Sequence, residues 1–281
     1  MTEPNDDDLC LTLPEQEVKG VLNAILNEYG YAFHGYQQVF VRRRLRVIMS
    51  LTQISTLAEL ARRIGADHAL QPIVMDALSV SVTEMFRDPE LFRALREQVI
   101  PVLATYPFAR IWVAGCASGE EAFSLSILLS EEGMQGKFQI YATDLHERAL
   151  TRARAGILSV AAMQTNTRNY HESGGTSDFS QYYTAGHGMA ILGSEWRSPI
   201  LFSRHDLAHG GSFNEFQLVM CRNVMIYFDK DLRVHVHNLL HGSLATFGFL
   251  VLGQKEAIRF SSHDADYVTV DATRRIYKKR R

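Results

Sequence analysis

Residues 110–144 constrain this chain more than any other stretch. An apolar run, Arg110-Ile111-Trp112-Val113-Ala114, leads into Gly115-Cys116-Ala117-Ser118-Gly119-Glu120-Glu121; a dense apolar helical pattern, a second apolar run (Phe138-Gln139-Ile140-Tyr141-Ala142) and Asp144 follow. Strand, glycine-bearing turn, helix, strand and acidic residue describe a βαβ nucleotide-binding unit. The glycines let the backbone approach a ligand where a Cβ would clash, and a carboxylate at the end of the second strand can accept both hydroxyls of a ribose.

The turn lacks the third glycine of the dinucleotide fingerprint. It also carries Glu120 and Glu121 where a pyrophosphate needs backbone N–H groups and no nearby anion, which argues against NAD. An adenosine ligand with a positively charged centre fits better, and S-adenosylmethionine, a sulfonium, is the obvious one. An ordinary tight βα turn is the competing reading of the same residues.

At 281 residues, 46% hydrophobic and 21% charged, the chain has room for one large domain and a small one. A net charge of −2 disfavours phosphate-driven binding, so no nucleic-acid partner is expected. No stretch approaches about 18 consecutive apolar residues, and an acidic start (Glu3, Asp6, Asp7, Asp8) is unlike a signal or transit peptide. A cytoplasmic monomer without membrane insertion is expected. Cys10, Cys116 and Cys221 are odd in number and far apart, so neither a disulfide framework nor paired zinc ligands are implied. Cys116 reads as a small residue in a crowded bend rather than a reactive thiol.

Residues 1–13 read as a disordered tail. Residues 14–75 show helical periodicity, carried by Val18, Val21, Leu22 and Ile25, then Val41, Leu45 and Ile48, then Leu57, Leu60 and Ile64, with breaks at Gly30, Gly35, 50–56 and Gly65. This predicts a small all-α domain of three or four helices. Within it, Arg42, Arg43 and Arg46 fall opposite the Val41, Leu45, Ile48 stripe, with Arg44 flanking it. A solvated face is the plain reading; four arginines in five positions with no acid among them repel one another, a cost that a negatively charged partner would relieve.

Residues 76–88 read as a linker, with Asp88 capping the next helix and Pro89 in its first turn. Over 89–281 apolar strands alternate with helices, predicting a mostly parallel sheet covered on both faces, interrupted at about 181–198 by a small antiparallel β insertion split by Gly186, Gly188 and Gly193.

Three segments together resemble the chemotaxis-receptor protein-glutamate O-methyltransferases (CheR type): 81–89 (Ser-Val-Thr-Glu-Met-Phe-Arg-Asp-Pro), 114–124 (Ala-Gly-Cys-Ala-Ser-Gly-Glu-Glu-Ala-Phe-Ser) and 221–228 (Cys-Arg-Asn-Val-Met-Ile-Tyr-Phe). The resemblance runs from about Glu15 onward. It implies a Rossmann-like class I S-adenosylmethionine-dependent methyltransferase domain behind the all-α domain. It also implies that Ser81, Thr83, Arg87, Glu121, Asp144, Asp206, Leu207, Arg222 and Asn223 contact the cofactor, and that Arg87 and Tyr227 lie close to the transferred methyl. Ser81 and Asp206 stand where the family often has asparagine; both side chains can still hydrogen-bond.

The implied reaction esterifies glutamates on chemoreceptor helices, with Arg42, Arg43 and Arg46 as docking candidates and S-adenosylhomocysteine as coproduct. The β insertion has family precedent as a docking edge for a receptor's C-terminal pentapeptide. A non-catalytic module binding a receptor or S-adenosylhomocysteine is the alternative, and intact Arg87, Glu121, Asp144 and Tyr227 speak against it. No Asn-Pro-Pro-Tyr-like segment supports a nucleic-acid methyltransferase. His237 and His241 have i, i+4 spacing but no third ligand in sequence, so no metal is expected.

Overall fold

The computed structural model describes residues 13–79, 83–186 and 188–280. Ser81, Cys10 and all of the 1–13 tail except Leu13 lie outside the described residues. The chain divides into two compact units, Met1–Val80 with Tyr227–Arg233, and Ser81–Ile226 with Val234–Arg281.

The first unit is helical. Helix α1 (Glu15–Tyr29) buries Val18, Val21, Leu22 and Ile25, and α2 (Gln38–Thr52) buries Val41, Leu45 and Ile48, each a stripe at helical spacing. Helix α3 (Leu57–Ile64) is N-capped by Thr56, whose hydroxyl accepts the Glu59 N–H at 3.2 Å. Helix α4 (Leu70–Leu78) runs past the break expected after Met75, because Met75, Ala77 and Leu78 are all buried. The segment Tyr227–Arg233 joins this unit through aromatic packing. Tyr36 meets Phe33 and Phe228 at centroid distances of 5.0 Å each, and Phe40 meets Tyr227 at 4.8 Å. Backbone bonds fasten it, Gln37 N–H to the Tyr227 carbonyl (2.9 Å) and Asp229 N–H to the Gly35 carbonyl (2.8 Å).

The second unit is built on seven strands: β1 (Ala109–Ala114), β2 (Phe138–Asp144), β6 (Ile200–Arg204), β7 (Phe216–Cys221), β8 (Leu244–Leu252), β9 (Tyr267–Asp271) and β10 (Ile276–Lys279). They lie in the order β6-β2-β1-β7-β8-β10-β9. The first five are parallel, and β10 runs antiparallel to both β8 and β9. Ile111, Trp112 and Val113 are consecutive and all fully buried, as a strand covered on both faces requires. Strand order reverses between β1 and β7, so their carboxyl ends open the crevice where α/β sheets bind ligands.

Helix α5 (Pro89–Ala94) continues through a π turn (Leu95–Val99) into α6 (Ile100–Leu103). Pro101 has no N–H to donate, and the widened turn ahead of it absorbs the gap in the ladder. Helices α7 (Glu120–Glu131) and α8 (Glu147–Ala155) follow β1 and β2.

The small antiparallel sheet has the order β3-β5-β4, from β3 (Ile157–Ser159), β4 (Tyr183–Gly186) and β5 (Met189–Leu192). It borrows a strand from outside residues 181–198, and α9 (Met163–Glu172) lies between β3 and β4. Residues Ser194–Arg197 form a helical turn, α10, rather than strand. Helix α11 (Lys230–Ser243) leads directly into β8, which begins at Leu244, ahead of the apolar run at Phe249.

Candidate cofactor site at the switch point

The turn after β1 is pinned to the end of β2. The N–H groups of Gly115 and Cys116 both reach the Thr143 carbonyl, at 2.8 and 2.9 Å. Asp144 Oδ2 accepts the Ala117 N–H at 2.8 Å and Oδ1 accepts the His146 N–H at 2.9 Å. Burial pushes the Asp144 carboxyl above the ordinary aspartate range, against the pull of those N–H groups. Each oxygen keeps a lone pair for a ligand hydroxyl. Cys116 is buried with its thiol pushed well up by burial, the behaviour of a packed, inert cysteine.

The first turn of α7 places Glu120 and Glu121 at the same end of the sheet. Glu120 is buried and accepts the Ser118 hydroxyl at 2.7 Å; desolvation raises its pKa. Glu121 accepts Nη1 of Arg222 at 2.5 Å. The Arg222 side chain is 1% exposed, and its Nη2 donates to Asp88 Oδ2 at 2.5 Å and to the Arg87 carbonyl at 3.3 Å. Asp88 stands at the N-cap position of α5 at φ 60°, yet its carboxylate caps nothing: the buried guanidinium holds it instead. This corrects the expected helix cap, because a charge-assisted bond to a buried cation outcompetes a backbone N–H.

Thr83 and Arg87 are half-buried on the segment that leads to Asp88. Three polar side chains missed in the sequence hold that segment. Ser124 Oγ accepts the Phe86 N–H at 2.8 Å, Asn166 Oδ1 accepts the Met85 N–H at 3.1 Å, and Asn169 donates to the Met85 carbonyl at 3.1 Å. Their signals in sequence are Asn166 and Asn169 at i, i+3 on a mostly polar helix, and Ser124 as the last residue of the 114–124 segment. Among the described residues the Arg87 guanidinium forms no ion pair, since Asp88 is taken by Arg222 and Glu90 by Arg274. Asp206 is turned onto its own loop, accepting from Ala208 N–H (2.8 Å) and pairing with His209 (3.1 Å), beside buried Leu207. Asn223 follows Arg222 at φ 60°.

Tyr227 belongs to the helical unit, half-buried against Phe40. There too lie the arginines of α2. Arg43 is exposed, whereas Arg42 and Arg46 are half-buried, Arg42 donating to the Leu13 carbonyl, and Arg44 lies over the Phe40 ring. The expected fully solvated face is thus narrower than three arginines.

His237 and His241 do not form a pair of ligands: His237 is buried, while His241 stacks on His263 at 3.8 Å and 4°. With Asp266 these two bring three potential ligand atoms within 4.8 Å of one another. Two parallel imidazoles cannot share an ion lying in both ring planes, so the arrangement favours the hydrogen bond from His263 to Asp266 (2.9 Å) over coordination.

The donor set suits a nucleoside with a cationic centre better than a pyrophosphate. The Ala117 N–H is already bonded to Asp144, and two glutamates occupy the helix start. Arg222 is offset by two carboxylates, while among the described residues Asp144 and Glu120 have no hydrogen-bonded arginine or lysine. The Arg87 guanidinium remains able to bind a carboxylate bidentately.

Comparison with known proteins gives the family. Residues 81–276 match the family described as CheR methyltransferase, SAM binding domain, and residues 16–79 match its all-alpha domain. A Pseudomonas putida protein, Cher3, whose name assigns it to the methyltransferases only provisionally, is 40% identical over 94% of this chain and 96% of its own length. Chemotaxis protein methyltransferase 1 of Pseudomonas aeruginosa is 32% identical over 82% of this chain and 85% of its own. A 104.1 kDa Rhodobacter capsulatus protein of uncharacterised function is 29% identical over 95% of this chain, which spans 28% of its length. With both parts of the chain matched in order, this protein belongs to the CheR methyltransferase family.

Proposed function

We propose that this chain esterifies glutamate side chains on the helices of cytoplasmic chemoreceptor domains, drawing the methyl group from S-adenosylmethionine. The observation that carries the reading is Asp144, a half-buried carboxylate at the end of β2, locked to the glycine turn at the sheet's switch point. The chemotaxis protein methyltransferases among the relatives support the pathway.

S-adenosylmethionine, when bound, supplies a methyl group on a positively charged sulfur. A glutamate with a reference pKa of about 4.3 is already ionised at neutral pH, so the chain needs no general base. Its work is orientation, which can supply on the order of 7–11 kcal/mol. In this reading Asp144 accepts the ribose hydroxyls, and Thr83, Glu121, Asp206, Leu207 and Asn223 line the cofactor. Arg87 clamps a carboxylate, and Tyr227 lies beside the transferred methyl. On α2, Arg43 is flanked at four-residue spacing by exposed Val39, Val47 and Leu51, a row suited to an amphipathic acidic helix.

The test is calorimetric titration with S-adenosylhomocysteine of wild type and Asp144→Ala, followed by transfer of labelled methyl to a receptor cytoplasmic fragment. Binding lost in the variant, with label released as methanol by mild base, is the expected result. Binding without transfer identifies a silent receptor module, and label that survives base identifies another acceptor atom.

A further inference from the structure

The loop that leaves β7 is folded around a carboxylate from the neighbouring strand. Glu256, 5% exposed, lies in the turn after β8, and four backbone N–H groups converge on it. Its Oε2 accepts from Gly253 (2.7 Å) and Asn223 (3.0 Å), its Oε1 from Val224 (3.0 Å) and Met225 (2.8 Å). Successive N–H groups of this kind form a concavity for an anion. Here the chain fills it with its own side chain, so it is not open to a ligand's phosphate.

The approach is close. A Cβ on Gly253 would stand 2.6 Å from Glu256 Oε2 and 2.8 Å from the Asn223 nitrogen, so only glycine lets the two strand exits come together. Burial pushes the Glu256 carboxyl up, opposed by the four N–H groups. Neither a neutral amide nor a shorter acid can reproduce the set: an amide would turn N–H donors against N–H donors, and aspartate lacks a methylene of reach.

The loop so held carries Arg222 and Asn223, residues assigned to the cofactor under the proposed function, and the side chain of Val224 rests on Gly115 of the glycine turn. We infer that Glu256 is a positioning residue for the reaction: its carboxylate shapes the Asn223–Met225 loop against the glycine turn, and so sets the wall on which the cofactor lies. This rests on the S-adenosylmethionine reading of the site.

The experiment titrates S-adenosylhomocysteine into wild type, Glu256→Gln and Glu256→Asp, with thermal unfolding of each and KM and kcat for S-adenosylmethionine. Both variants are expected to stay folded at the titration temperature and to bind at least tenfold more weakly, with KM raised more than kcat is lowered and aspartate less affected than glutamine. Folded variants that bind as wild type does, however much their melting temperatures fall, overturn the inference and leave Glu256 a purely structural group. If Glu256→Gln does not fold, Glu256→Asp alone decides by the same criterion. If neither folds, amide exchange in wild type decides: the 223–225 amides are expected to be protected without cofactor and no further slowed by it, and free exchange that slows only on binding overturns the inference. Wild type that fails to bind S-adenosylhomocysteine sinks the functional reading itself, a result separate from these.

Discussion

Val224 Cγ2 lies 2.3 Å from the point that a Cβ on Gly115 would occupy. The loop after β7 therefore rests on bare backbone, and Gly115 itself sits at φ 77°. Gly115→Ala is expected to cost about 1–2 kcal/mol from the left-handed conformation alone, plus the displacement of Val224. Adding Val224→Ala should recover the steric part and leave the conformational part. Urea unfolding of the two single variants and the double variant measures both, and strictly additive losses would show that the two residues do not press on one another.

Arg222 is the buried hub between α5 and α7. Arg222→Met strands the carboxylates of Glu121 and Asp88 around an apolar side chain, and breaking a buried pair in this way costs roughly 3–5 kcal/mol. Asp88→Asn should cost less, because Asp88 is 31% exposed and water can replace the lost partner. Denaturant midpoints that fall equally in the two variants would contradict this hierarchy.

The βαβ unit at residues 110–144 was legible because each strand is a largely apolar run and each strand end carries its glycine or acid. Strand β3 was not: three residues, Ile157-Leu158-Ser159, pair with Ile191-Ala190-Met189, 30 to 34 positions on, and no local pattern records a partner at that distance. Glu256 stands in a polar run, Gly-Gln-Lys-Glu-Ala, that reads as an exposed loop, and its burial arises only when β7 and β8 lie side by side. Asp88 followed the rule for helix caps in sequence and departed from it in space, because Arg222, 134 residues away, offers a stronger bond. The candidate site was thus readable where chemistry sits on one local turn, and hidden where side chains from distant strands hold that turn in place.

With Asp144 holding the ribose, as the proposed function has it, stability and affinity respond to acid in opposite directions. Its folded pKa lies above the unfolded value near 3.8, so the folded state takes up the proton more readily. The stabilisation from that uptake is fully present below the unfolded value and is lost as pH rises through the folded one. Affinity for a nucleoside runs the other way, because a protonated carboxyl has less capacity to accept two hydroxyls. S-adenosylhomocysteine binding should weaken on acidification from a pH above the usual aspartate range, while Asp144's own contribution to stability grows. Asp144→Asn should bind weakly with that step missing from its pH profile; the same step in both proteins would assign it to another group.

If the proposed function holds, the exposed row on α2 lets docking be separated from chemistry. Val39 (53% exposed), Val47 (39%) and Leu51 (64%) share a face with Arg43, and none of them belongs to the packed stripe of Val41, Leu45 and Ile48. Under the proposed function, Arg43→Glu sets a like charge against the acidic helices of a receptor, and Leu51→Ser removes the most exposed apolar side chain on the row. Charge complementarity acts mainly on encounter and register. Each change should therefore raise KM for a receptor fragment by roughly three- to tenfold, about 0.7–1.4 kcal/mol, with the Arg43 effect shrinking at high salt and the Leu51 effect unchanged by it. S-adenosylhomocysteine affinity should stay at the wild-type value in both. Steady-state methylation of the fragment at two ionic strengths makes the measurement, and a loss of cofactor affinity equal to the loss of receptor methylation would place the defect in the fold of the helical unit rather than in docking.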